Sequence, residues 1–340
     1  MIHELRDLTI IGGGPTGLFA LFYAGMRGAT AQIVDALTEP GGQLTALYPE
    51  KDIFDVAGFR TVPARELVRQ LKEQAGQFAA PMHFSQRITG LEESDGHFVL
   101  TTETDRFPTR AVLIAAGIGA FAPRRLPQPA AGPWYGRGID DVVTDPERFR
   151  ARRVVIIGAG DSAFDWGVQL LGRAASVAIV HRSDRFRAHE ATVAQFCAAV
   201  AAGRAELYTF HELQDLVAHE GGERFTHIIL KDIKGKCTRQ LEADAVLPML
   251  GFVSDMGVIN EWGLHIEKDE IHVNSQMETG RPGIYAAGDV VTYPGKLKLI
   301  ATGFGEAATA VNQAVHWVHP EKKVNPGHSS NMAIFGAKDD

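Results

Sequence analysis

Twice in this chain a short β-branched run breaks into a glycine cluster and resumes as a helix, and that pattern restricts the fold more than any other feature. The first instance is Leu8-Thr9-Ile10-Ile11 followed by Gly12-Gly13-Gly14-Pro15-Thr16-Gly17, with apolar residues at helical spacing over 18–26. The pattern GxGxxG is weak by itself; directly after a strand and before a helix it is specific. Gly12 allows the tight turn, Gly14 leaves room for a pyrophosphate, and Gly17 lets the helix pack closely on the sheet, so that the helix N-terminus faces the anion. A strand over 31–34 ending in Asp35 completes a βαβ unit. Asp35 then stands where a carboxylate can accept hydrogen bonds from ribose hydroxyls. The plainer alternative is a glycine-rich turn with a capped helix.

The second instance runs from 152–157 into Gly158-Ala159-Gly160-Asp161-Ser162-Ala163, a GxGxxA in the same setting. Its following strand, 177–180, ends in His181-Arg182, with Arg185 and Arg187 close behind. A carboxylate there would repel a 2′-phosphate, whereas guanidinium groups bind phosphate bidentately. NADPH is therefore expected over NADH at Gly158, Gly160, Asp161, Ser162, His181, Arg182 and Arg187; the alternative for the arginines is a solvated turn. Two sites of opposite ribose chemistry suggest a flavin held permanently and a nicotinamide that comes and goes.

A chain of 340 residues is long enough for two cores. Its 45% apolar and 22% charged residues are the balance of a soluble globular protein. The net charge of −7 argues against a general nucleic-acid binder. No run of about 18 apolar residues is present for a membrane span, and no export signal is read at the N-terminus, so the cytoplasm is the expected compartment. The two cysteines, Cys197 and Cys237, are too few and too far apart for a disulfide framework, and no metal-binding pattern is read. A glycine- and proline-containing loop is expected over 39–58, a helix over 64–78, and strands near 82–88, 97–102 and 111–115. Four prolines in 123–133 mark a crossover between domains. A third punctuation, Gly283-Ile284-Tyr285-Ala286-Ala287-Gly288-Asp289, precedes a helix over 300–318 and an irregular tail, 325–340.

That third segment resembles the second FAD motif of flavoproteins with two dinucleotide-binding domains, in which the aspartate contacts the ribityl chain; Asp289 and Gly288 match it. Gly41-Gly42-Gln43-Leu44 is similar to the flavin-side loop of the same proteins. Within them the chain resembles the thioredoxin reductase branch but has no cysteine in 134–153, so the CxxC pair of that branch is missing. Almost the whole chain is similar to the ferredoxin/flavodoxin–NADP reductases of thioredoxin-reductase-like architecture. The telling segments are 41–51, 55–59, Gly303-Phe304-Gly305-Glu306-Ala307 and His328-Ser329-Ser330.

The resemblance implies an α/β fold of two Rossmann-like three-layer domains, one inserted into the other: FAD-binding residues 1–116 and 249–340 around an NADPH-binding domain of 117–248. It implies that Gly12, Gly14, Pro15, Thr16, Gly17, Asp35, Gly42, Gln43, Leu44, Tyr48, Ile88, Phe121, Gly288, Asp289, His328 and Ser330 bind FAD, with Tyr48 and His328 on opposite faces of the isoalloxazine. The implied reaction is hydride transfer from NADPH to flavin N5 followed by single-electron steps to ferredoxin or flavodoxin, in a homodimer. No side-chain nucleophile or metal is required. An acidic acceptor calls for a basic patch, for which Arg124-Arg125, Arg152-Arg153 and Lys296-Lys298 are the candidates. Alternatives are another NADPH-dependent flavoprotein, such as a monooxygenase, or a non-catalytic flavin sensor.

Overall fold

The strand Arg6–Ile11 runs parallel to Ala31–Val34 on one side and to Arg106–Ile114 on the other. The computed structural model that contains it describes residues 1–329 apart from 144 and 236, with the backbone alone at 120–122 and 252–254. The chain divides into two compact units, Met1–Phe121 with Ser254–Asp340, and Ala122–Val253.

In the first unit, successive strand residues point to opposite faces. Leu8, Ile10, Ile33, Ala111 and Leu113 therefore share one face, and Ile11, Val34, Val112 and Ile114 the other. Both faces are buried, which is why these strands read as unbroken apolar runs. The helices Pro15–Met26, Ala64–Ala75 and Ile300–Val318 cover the first face through Leu18, Leu21, Leu67, Leu71, Val311 and Val315. The second face packs against Phe98, Leu100, Met256, Ile259 and Trp262.

Arg106–Ile114 serves two neighbours in turn: its first half pairs antiparallel with His97–Thr101 and its second half parallel with Ile284–Ala286. A late stretch of the chain thereby completes a sheet begun at its start.

The helix Ala64–Ala75 buries Leu67, Val68, Leu71 and Ala75 and leaves its charges outside. It stops short of the expected 78, with Gly76 at its C-terminal cap. Of the strand expected at 82–88 only Met82–His83 forms.

The second unit repeats the plan. Glu206–Thr209, Ser176–His181, Arg153–Ile157 and Ala245–Pro248 make a four-stranded parallel sheet. One face carries Val154, Ile156, Val177 and Ile179 against Phe164 and Phe196, from the helices Asp161–Leu170 and Glu190–Ala201. The other carries Val155, Ile157, Ala178 and Val180 against an antiparallel sheet of His211–Ala218, Phe225–Asp232 and Thr238–Glu242. This sheet was not foreseen from the sequence. Its outermost strand is exposed at four of five positions and so has little apolar pattern to read.

Among the described residues no helix is long and apolar enough to cross a membrane.

Candidate functional site

The first glycine turn is fixed by three different constraints. Gly12 has φ +107°, and a Cβ there would stand 2.5 Å from the carbonyl oxygen of Ala115. A Cβ on Gly17 would meet the Gly12 carbonyl oxygen at 1.9 Å, so the helix can approach the strand only with glycine. Gly14 is different. The nearest atom to its missing Cβ is Gly42 Cα at 4.0 Å. The protein itself leaves that space open, as a cradle for a ligand backbone requires.

Pro15 opens the helix, where its missing N–H costs nothing. The Gly13 amide donates to Asp35 Oδ2 at 2.5 Å, and the Leu37 amide to Asp35 Oδ1 at 2.7 Å. Burial pushes the Asp35 carboxyl above its ordinary range, and the two amides partly offset that.

These residues form one wall of a cleft of about 600 Å³, lined by Gly12, Gly14, Pro15, Thr16 and Asp35. That size suits a small-molecule or cofactor site. Gly42, Gln43, Leu44, Tyr48 and Ile88 line it as well, with Gly288 and Asp289. Gly42 has φ +58° and leads into the short helix Gln43–Leu47. The Tyr48 hydroxyl donates to Gln43 Oε1 at 3.2 Å. Leu299 and Ile300, the start of the last helix, also face the cleft, so that the positive end of this helix dipole lies at its wall. Gly17 supports the wall without lining it.

Asp289 is half-buried, and burial pushes its carboxyl up while Lys296 and Lys298 act against that. Behind it lies a residue whose role was not read from the sequence. Glu306, buried in the helix Ile300–Val318, accepts the Gly288 amide on Oε2 at 2.8 Å. Its Oε1 accepts from the Tyr293 hydroxyl and from Lys296 Nζ, both at 2.6 Å. The signal was available: Gly303, Ala307, Ala310 and Ala314 form the buried stripe of that helix, and Glu306 lies on it. A carboxylate on an apolar stripe needs a partner.

Thr16 is held similarly tightly, with the absent Cβ atoms of Gly288 and Gly303 only 2.9 and 2.5 Å from its Oγ1.

The second glycine turn has its own geometry. Gly158 has φ +143°, and a Cβ there would lie 2.2 Å from the Met249 carbonyl oxygen. Gly160 has open space where its Cβ would be, as Gly14 nearly does. Asp161 opens the helix and accepts the His189 amide at 3.0 Å; Ser162 follows it, half-buried. The parallel pairing of Ile157 with Val180 brings the end of the second strand beside this turn. His181 is half-buried there; burial, then the adjacent Arg182 charge, lower its pKa, which favours the neutral imidazole. Arg182 and Arg187 are exposed, and the Arg187 amide donates to the Ala159 carbonyl at 2.9 Å, which places its backbone against the turn.

Of three further residues expected at the flavin, the side chain of one is described. His328 is exposed and does not line the cleft. Ser330 and the Phe121 side chain lie outside the described residues.

The basic-patch expectation needs correction. Lys296 is not on the surface; it is buried against Glu306. Lys298 pairs with Glu270 at 2.5 Å, Arg153 with Asp244 at 2.6 Å, and Arg125 Nε lies 3.6 Å from Asp141. Local sequence showed the cations but not the carboxylates that the fold brings to them. Among the described residues no group of His, Cys, Asp and Glu could hold a metal ion.

Known proteins are similar to this chain in sequence and fold. The model of the family described as pyridine nucleotide-disulphide oxidoreductase matches residues 6–314. The ferredoxin–NADP reductase of Thermus thermophilus is 47% identical over 99% of this chain and 100% of its own length. That of Halalkalibacterium halodurans is 46% identical over 97% of this chain and 98% of its own. The thioredoxin reductase of Lactococcus lactis superposes with a TM-score of 0.78 at 25% identity, covering 92% of this chain and 99% of that one. By these matches the chain belongs to the pyridine nucleotide-disulphide oxidoreductase family and, within it, groups with the ferredoxin–NADP reductases.

Proposed function

We propose that this protein is an FAD-dependent oxidoreductase that moves electrons between NADPH and ferredoxin. The observation that carries the reading is the near full-length similarity to ferredoxin–NADP reductases in a chain whose two glycine turns end differently. One faces a cleft with Asp35 and Asp289; the other lies beside Arg182 and Arg187. The FAD domain is the unit with the cleft, and the NADPH domain is the unit with the arginines.

Within the cleft the open space at Gly14 and the free amides at the start of Pro15–Met26 suit a pyrophosphate. Asp35 has lone pairs left for ribose hydroxyls after accepting two amides. Asp289 offers an acceptor to the ribityl chain, and Gln43 and Tyr48 form the wall on another side. A flavin held by these residues would supply the exchange between two-electron hydride chemistry and single-electron transfer. In the second unit Arg182 and Arg187 receive the 2′-phosphate, and the neutral ring of His181 can lie close without adding charge.

The absence of a CxxC pair in the sequence separates this chain from dithiol-using reductases of the same fold. Flavodoxin is a second acceptor of the same chemistry. A homodimer is the assembly that the resemblance supports, and the cytoplasm is the compartment expected from the sequence. The deciding experiment is NADPH-driven cytochrome c reduction with and without added ferredoxin. A large ferredoxin-dependent increase is expected; oxygen consumption coupled to an organic substrate, with no such increase, would favour a monooxygenase instead.

A further inference from the structure

The carboxylate of Glu306 makes three hydrogen bonds in a place where a helix would ordinarily carry an apolar side chain. Glu306 is 4% exposed and Lys296 6%. A buried charge pair is costly to assemble and often dispensable for stability, since an apolar pair can replace it. Stability alone therefore does not account for the pair, and its hydrogen bonds offer another role.

That role is visible in where the bonds go. One oxygen is spent on Tyr293 and Lys296, which belong to the segment following Asp289; the other takes the backbone amide of Gly288, the residue preceding Asp289. Gly288 has φ +88° and sits against Thr16, so this turn has little freedom to find another acceptor. Glu306 thus grips the chain on both sides of Asp289 without touching the cleft itself.

We propose that Glu306 is a positioning residue for FAD: by accepting the Gly288 amide it fixes the Gly288–Asp289 turn so that the Asp289 carboxylate meets the ribityl chain, while Lys296 neutralises Glu306. Lys296 then has a second effect, because its charge also favours the ionised form of Asp289. The inference rests on the reading of the cleft as an FAD site.

An acceptor at position 306 is what matters in this arrangement, and its charge matters only because Lys296 is there. An amide paired with a neutral residue at 296 keeps the essential bond: Oε1 of Gln accepts the Gly288 amide, and its NH₂ donates to the Tyr293 oxygen. A leucine of similar volume keeps neutrality and packing but leaves the Gly288 amide without an acceptor.

The test compares E306Q/K296M with E306L/K296M, both free of the buried Glu306–Lys296 charge pair and equal in what they remove from the surroundings of Asp289. Apoprotein of each is prepared from the holoprotein, its thermal unfolding recorded, and FAD affinity measured by quenching of flavin fluorescence. E306Q/K296M should bind FAD within about threefold of the native protein and E306L/K296M about tenfold or more weaker, the scale of one buried amide left unpaired. Both apoproteins should stay folded, with E306L/K296M melting somewhat lower because its Gly288 amide has no acceptor. Equal FAD affinity in the two variants would overturn the proposal. So would a loss of affinity in E306L/K296M that disappears once the unfolded fraction of its apoprotein, read from the melting curve, is corrected for. Native protein that takes up no FAD would instead sink the reading of the cleft, which keeps the two failures apart.

Discussion

The Gly13 amide donates to Asp35 Oδ2 at 2.5 Å, so the first glycine turn and the end of the neighbouring strand are joined within the protein itself. Asp35 therefore has a duty toward the backbone beside the one toward ribose that we propose for it. In D35A the Gly13 and Leu37 amides lose their acceptor, and at ~1–3 kcal/mol for each group the apoprotein should lose roughly 2–6 kcal/mol, less the relief of removing a carboxyl that burial penalises. Urea unfolding of the apoprotein measures this, and the purified variant should carry little flavin. Native-like unfolding would mean that the two amides find water instead.

Thr16 and Gly303 are packed so closely that a methyl group at 303 must displace the threonine hydroxyl. G303A should cost about 1–3 kcal/mol, as overpacking does. Combining it with T16A removes the obstructing oxygen, so the pair should be strongly non-additive. Simple additivity in a thermal or urea double-mutant cycle would contradict the packing.

Burial raises the Asp289 carboxyl above its ordinary value of 3.8. A carboxyl raised in the folded chain contributes its full stability below the unfolded value and loses it as pH rises through the folded one. At neutral pH the native apoprotein thus carries a penalty that D289N lacks. D289N apoprotein should melt higher than native at pH 7, the gap closing toward about pH 4, while its FAD affinity falls. Identical melting at pH 7 would show that Lys296 and Lys298 already compensate the burial.

The arginines after the second turn should act on the nucleotide's extra phosphate alone. R182A and R187A are each expected to raise the KM for NADPH by about tenfold, the scale of one charged hydrogen bond, with NADH kinetics little changed. Steady-state rates with both nucleotides check this; equal effects on both would place the arginines elsewhere in recognition.

Much of the fold was legible because its strands are buried on both faces and its turns are punctuated by glycine. Arg6–Ile11, Ala31–Val34 and Ile300–Val318 could be found from local patterns alone. The role of Gly17 was legible as well, since close packing of helix on strand demands glycine whatever the ligand. What could not be read depended on distant partners. Lys296 looks like a surface cation beside Lys298 until the fold brings Glu306 against it. The antiparallel sheet of the second unit stayed hidden because its strands are only half-buried, and their alternation is diluted by charges. His328, named from a matched segment, is exposed and does not line the cleft in the single chain.

The strand Ile284–Ala286, which completes the sheet of the first unit against Val112 to Ile114, has a consequence for how the protein is made. The unit Ala122–Val253 is one uninterrupted stretch and can close its core as soon as it leaves the ribosome. The cleft, by contrast, needs Asp289 and Ile300, so at ordinary elongation speeds it is finished roughly 2–10 s later. During that interval the nascent chain can hold a folded unit Ala122–Val253 but has no complete cleft, so a ligand of the cleft can be captured only near the end of synthesis.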